Sequence, residues 1–318
     1  MEQKTRLDYI DIAKGIGMIL VYVGHCKIQG SSPLFQWIYS FHMPLFFFLS
    51  GLLFKRKKFR IVIINKTLGL IVPYVLFSVI NYFLYTISGT SEISIVGVIL
   101  YGWGLNPMWF IPILFVIEMF HTSWVCQRRL WLRCATLLLM VTLFILKIKT
   151  NFFAPYAASE IPWFYLCFLT GYFSKTIIED WIHKMSNFYF AFFVIQILLL
   201  FGLVLPYNDN YRCQDNDVLS YVYRYALGIL GTLIVLLVSQ KLAHYKKSFL
   251  FRFIGRNTIV LLCTHKMFYD ILEKYNPQTF LHGGYNHIVV VVLCAISIWI
   301  YNKNIGSKIN LLKVKYGK

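Results

Sequence analysis

The chain alternates long apolar stretches with short polar segments that are mostly basic. Crossing a bilayer as a helix takes about 20 apolar residues. Ten stretches approach or meet that length: residues 9–29, 34–54, 67–87, 108–126, 130–147, 161–177, 188–206, 218–240, 257–274 and 287–302. Their apolar runs are continuous, which predicts helices and excludes the alternating strands of a membrane β-barrel. A further apolar piece, residues 93–101, is too short to span and reads as re-entrant or interfacial. The pattern predicts an all-α polytopic membrane protein with about ten transmembrane helices, forming one integral domain over residues 1–318. No short apolar segment with a small-residue cleavage site opens the chain, so the first span is expected to act as the anchor.

Charge gives this parse a direction. Basic residues gather at Lys4 and Arg6 and in segments 55–66, 128–133, 175–184, 241–256 and 303–318. The opposite side of the alternation holds only Lys27, Lys147, Lys149, Arg212 and Lys274. That asymmetry follows the positive-inside rule and predicts both termini in the cytoplasm, with the acidic loop 207–217 outside. The net charge of +18 is then a topology signal, not a nucleic-acid footprint. Composition agrees: 58% of residues are hydrophobic and 14% charged, against about 25% charged in soluble domains. The seven cysteines show no C-x-x-C and lie mostly in or beside apolar stretches, as small hydrophobes do.

Ionisable residues inside such stretches are costly and mark candidate chemistry. The first span carries Lys14 and His25, eleven residues apart. Eleven residues make about three helical turns, so both point the same way, roughly 16 Å apart along the axis. Asp11, three residues before Lys14, falls on nearly the same stripe and could pair with it. Lys14 alone would read as a lysine snorkelling to the interface, and His25 alone as one satisfied by a carbonyl. The aligned set favours function, with His25 suited to general-base work near neutral pH. His42, in FHMPLFFFLSGLLF, is expected in the outer half of the second span, near His25 in an antiparallel hairpin. The Ser50–Gly51 pair offers a close helix contact. His265 and Lys266 lie about halfway along the ninth span, about 100° apart, so one of them faces a site. Glu118 has either a pairing or a chemical role, and Arg224 reads as an interfacial anchor. His282 and His287 have no standard zinc spacing, and no metal site is expected. G-x-S-x-G, H-E-x-x-H and Walker signatures are absent.

Six segments in order, RLDYIDIAKGIGMILVYVGH, FHMPLFFFLSGLLF, VPY, MWFIPILF, FLTGYF and GRNTIVLLCTH, resemble the acyltransferase-3 family of membrane acyltransferases. In particular they resemble its bacterial group of fucose 4-O-acetylase and related acetyltransferases. The ordered set covers nearly the whole chain. The family's first-span motif is a basic residue, ten intervening residues and a histidine, here Lys14 and His25. The resemblance implies His25 as catalytic base and Lys14 as a residue that binds or orients the donor. His42, Trp109 and His265 match positions that would line the site. The family commonly has arginines just before the third span. Here RIVIINKTLGLIVPY offers Lys66 in their place.

The resemblance implies acetyl-CoA as donor, with no permanently bound cofactor. The basic segments 55–66 and 241–256 could hold its phosphates. A sugar hydroxyl of a cell-surface polysaccharide would be the acceptor, and the bacterial inner membrane the location. Asp11, His42, Trp109, Glu118 and Lys66 are candidate substrate contacts, and His265 or Lys266 could stabilise an oxyanion. Direct transfer and an acetyl-histidine intermediate both stay open. The rival reading is an exporter or flippase for a polysaccharide or lipid-linked glycan, which a polar stripe at mid-membrane also fits.

Overall fold

The structure, a computed structural model, describes residues 2–26, 32–90, 108–126, 129–150, 160–203, 218–275 and 285–316. The segment 93–101, the loop 207–217, Lys27, Arg128, Arg212 and His282 lie outside the described residues. Every regular element among those described is a helix. We label them α1 (Glu2–His25), α2 (Pro33–Leu52), α3 (Phe59–Lys66), α4 (Val72–Ile87), α5 (Phe110–Cys126), α6 (Leu130–Thr150) and α7 (Ile161–Phe173). Then follow α8 (Lys175–Met185), α9 (Tyr189–Leu198), α10 (Val218–Ala243), α11 (Phe249–Arg256), α12 (Thr258–Tyr275), α13 (Tyr285–Tyr301) and α14 (Ser307–Tyr316).

Each of the ten apolar stretches coincides with a helix. Among the described residues, four helical runs are long and apolar enough to cross a membrane: Phe59–Ile87, Lys175–Phe201, Ser220–Ala243 and Tyr285–Lys315. Phe110–Val125, Leu130–Leu143 and Ile161–Phe173 are shorter apolar helices. Helices also form in segments that read as polar connections. Residues Lys175–Met185 make α8, Phe249–Arg256 make α11, and the basic C-terminal segment makes α14. In α11, apolar Phe249, Phe253 and Ile254 interleave with Arg252 and Arg256, so a basic segment can still present an apolar face.

Local chemistry explains several boundaries. Ser32 caps α2 by accepting a hydrogen bond from the Phe35 amide at 3.2 Å, and Pro33 occupies the first turn. The run Lys55–Lys58 is exposed and non-helical. Between α3 and α4 the helix widens into a π turn, Thr67–Ile71. Pro73 has no N–H to give the carbonyl one turn back, and the wider turn absorbs that mismatch.

Two compact units are present. The first comprises residues 1–55, 141–152 and 162–258, and the second 56–140, 153–161 and 259–318. The core of the first unit draws on four helices. Tyr9, Ile10 and Ala13 of α1 meet Phe41, Leu45, Phe48 and Leu49 of α2, Ile178 and Ile182 of α8, and Val235 to Leu237 of α10. Glycines set two of its crossings. A Cβ on Gly51 of α2 would strike the Phe168 carbonyl of α7, and one on Gly171 of α7 would strike the Phe48 carbonyl of α2. The same reciprocity joins α1 to α11: Gly15 abuts the Phe251 carbonyl and Gly255 the Asp11 carbonyl. Such contacts let backbones approach where lipid supplies no hydrophobic drive.

In the second unit α4 turns a polar face inward. Tyr74, Ser78, Asn81 and Tyr85 are all buried, spaced at alternating steps of four and three residues. Asn81 donates through Nδ2 to the Cys263 carbonyl of α12 at 3.0 Å and to Met108 Sδ at 3.2 Å. One side chain thus ties α4, α12 and the turn before α5 together.

Candidate active site

In the first unit the α1–α11 crossing builds a charged cluster. With Gly15 and Gly255 in backbone contact, two arginines one turn apart on α11 face two aspartates one turn apart on α1. Arg252 pairs with Asp8 at 3.2 Å, and Arg256 with Asp8 at 3.4 Å and with Asp11 at 2.9 Å. Lys14 stands 3.7 Å from Asp11, beyond hydrogen-bond length, so that link is electrostatic. Asp8 and Asp11 thus meet Arg252, Arg256 and Lys14 in one cluster. Arg252 and Arg256, grouped in the sequence with the other loop cations, are already engaged by carboxylates.

The far end of α1 is aromatic. The Tyr39 hydroxyl donates to the Gly24 carbonyl at 3.3 Å. Its ring meets His25 edge-on, with centroids 6.5 Å apart, and His42 edge-on at 4.8 Å. Phe35 stacks on the same ring at 3.9 Å. Both histidines thus contact one tyrosine. His42 Nδ1 donates to the Ile38 carbonyl at 2.9 Å, which in the neutral ring leaves the lone pair on Nε2. Arg224 lies over the Trp163 ring at 5.5 Å, a cation–π contact within the first unit.

The remaining candidates belong to the second unit. His265 is buried on α12, and its Nδ1 donates to the Leu261 carbonyl at 2.7 Å, the same arrangement as in His42. Lys266 points elsewhere and pairs with Asp270, whose other oxygen accepts from Tyr85 at 3.0 Å. The adjacent His265 and Lys266 therefore diverge, as a helix requires. Glu118 is buried on α5 and takes Lys66 as its partner at 2.6 Å. The spacing of 52 residues hid that pair from sequence reasoning. Trp109 sits half-buried in the turn that leads into α5.

A family profile described as an acyltransferase domain matches residues 7–301, which runs through both units. The chain belongs to the acyltransferase-3 family. Neither the curated proteins nor the solved structures hold a significant match to it. Lys14 and His25 both lie on the uninterrupted helix α1. Sequence reasoning missed four participants: Asp8, the Arg252–Arg256 pair as partners of the aspartates, Tyr39 and Asn81. Tyr39 precedes His42 by three residues, and Asp8 precedes Asp11 by three, so helical spacing carried a signal for both. No local spacing announces the α1–α11 pairing, which depends on two glycines far apart in the chain.

Proposed function

We propose that this membrane acyltransferase is an O-acetyltransferase that moves an acetyl group from cytoplasmic acetyl-CoA to a sugar hydroxyl of a bacterial cell-surface polysaccharide. The observation that carries the reading is α1 itself. In a member of this family, one unbroken helix joins Lys14, set in the charged cluster, to His25, set beside Tyr39 and His42. The expected topology has ten spans in the bacterial inner membrane and cytoplasmic termini, which puts Lys14 toward the donor's side. Lys14 orients the donor through its anionic groups, and the acyl end reaches toward His25, roughly 16 Å away along the axis.

His25 removes the proton from the acceptor hydroxyl as its oxygen bonds to the thioester carbonyl carbon. Collapse of the tetrahedral species breaks the C–S bond. The thiolate leaves and takes up the proton from the imidazolium, so the products are an O-acetyl sugar and CoA thiol. Asp11 and His42, in the same unit as His25, shape the substrate path.

Purified protein in detergent, given acetyl-labelled acetyl-CoA and de-O-acetylated surface polysaccharide from its own cells, should yield labelled polysaccharide. An exporter of the same glycan would leave all label on CoA, and that result would reject the proposal.

A further inference from the structure

The second unit contains an apolar slot of about 330 Å³, lined by Ile63, Ile64, Thr67, Leu68 and Leu312. Its walls are α3 with the following π turn on one side and α14 on the other. Leu312 is 41% exposed, so the slot opens sideways. Beside it sits a cation. A Cβ on Gly69 would lie 2.7 Å from Lys313 Nζ, so the half-buried ammonium rests against the π turn where a side chain is missing. Lys66 lies within electrostatic reach of Lys313. The Glu118 carboxylate is taken by Lys66, and among the described residues Lys313 has no hydrogen-bond or ion-pair partner. Of these two ammonium groups at the edge of the slot, Lys66 has a carboxylate and, among the described residues, Lys313 has none.

A half-buried ammonium without an anion is costly. The slot's wall is apolar apart from Thr67, so the missing anion belongs to a molecule with a hydrocarbon part. We propose that this slot binds one anionic glycerophospholipid, with an acyl chain against Ile63, Ile64, Leu68 and Leu312 and its phosphate against Lys313. Helical spacing puts further cations on the same faces. Arg60 lies one turn before Ile64, while Lys308 and Lys315 lie one turn either side of Leu312. A free phosphate would leave the slot empty, and a zwitterionic lipid would leave the charge unmatched. Anionic lipids are the ones that basic clusters at the cytoplasmic face recruit. This inference is independent of the acetyl-transfer reading.

Native mass spectrometry of delipidated full-length protein, titrated with phosphatidylglycerol or phosphatidylcholine, tests it. The wild type should retain one phosphatidylglycerol at least fivefold more tightly than phosphatidylcholine. Lys313→Gln should lower phosphatidylglycerol affinity about tenfold, to the phosphatidylcholine level. Lys313→Arg should restore the preference. Leu68→Trp, which fills the slot, should abolish retention of both lipids with an unchanged melting temperature, and Lys241→Gln in the first unit should change nothing. Equal retention of the two lipids, or an unchanged preference in Lys313→Gln, overturns the proposal. So does displacement of phosphatidylglycerol by millimolar inorganic phosphate or by acetyl-CoA, because the occupant would then be an ion or the donor.

Discussion

His25 is flanked by Tyr39, which also contacts His42, and this small aromatic group sets the expectations at the residue scale. Replacing His25 by Ala should leave the protein folded in the membrane and lower transfer to the polysaccharide by about 10²–10⁴-fold, the usual range for a lost general base. Transfer at the wild-type rate, read by label incorporation, would remove His25 from the mechanism. Lys14→Ala should act on donor use. Loss of one charge-assisted contact is worth about 1.5–3 kcal/mol, or roughly 10–100-fold in the KM for acetyl-CoA. An unchanged KM in initial-rate kinetics would reject that role. Tyr39→Phe removes the bond to the Gly24 carbonyl and keeps the ring, so a modest loss of about 0.5–1.5 kcal/mol in stability is expected. Tyr39→Ala also removes the ring that both histidines contact and should lower kcat. Equal kcat for the two variants would show that the ring does not position them.

At the scale of elements, the structure depends on where helices touch backbone to backbone. Gly255→Val would drive its side chain into the Asp11 carbonyl and separate α11 from α1. Overpacking of this kind costs about 1–3 kcal/mol, and separation would also break the Arg256–Asp11 pair. The variant should lose thermal stability in a dye-based unfolding assay, and its KM for acetyl-CoA should rise if the cluster helps to set Lys14. Gly51→Val meets the Phe168 carbonyl and should destabilise similarly without moving that KM. A pair of variants with identical kinetic profiles would show that the charged cluster has no part in donor binding.

The whole molecule turns the charge pattern into a topological expectation. Reporter fusions at 56–58, 246–248 and the C-terminus should behave as cytoplasmic, and one at 207–217 as external. A cytoplasmic 207–217 would overturn the ten-span arrangement. Helix existence and position were available from the chain alone, because continuous apolar runs of this length leave no other way to satisfy the backbone in lipid. The same holds for the family's ordered motifs, and for Lys14 and His25 as a pair on one face, since helical geometry is local. Helices in the polar connections 175–185 and 249–256 were hidden, because short polar segments carry no apolar run of spanning length. Hidden too were the partners of the charges: Asp11 with Arg256 across 245 residues, and Glu118 with Lys66 across 52. The sequence by itself determined which segments are helical and which face of α1 is polar, because those depend on neighbours a few residues away. Only the tertiary structure decided which carboxylate meets which cation and that Tyr39 contacts both His25 and His42. It also left Lys313 beside an apolar slot without an anion, because each such contact requires two distant helices to pack at one particular glycine or turn.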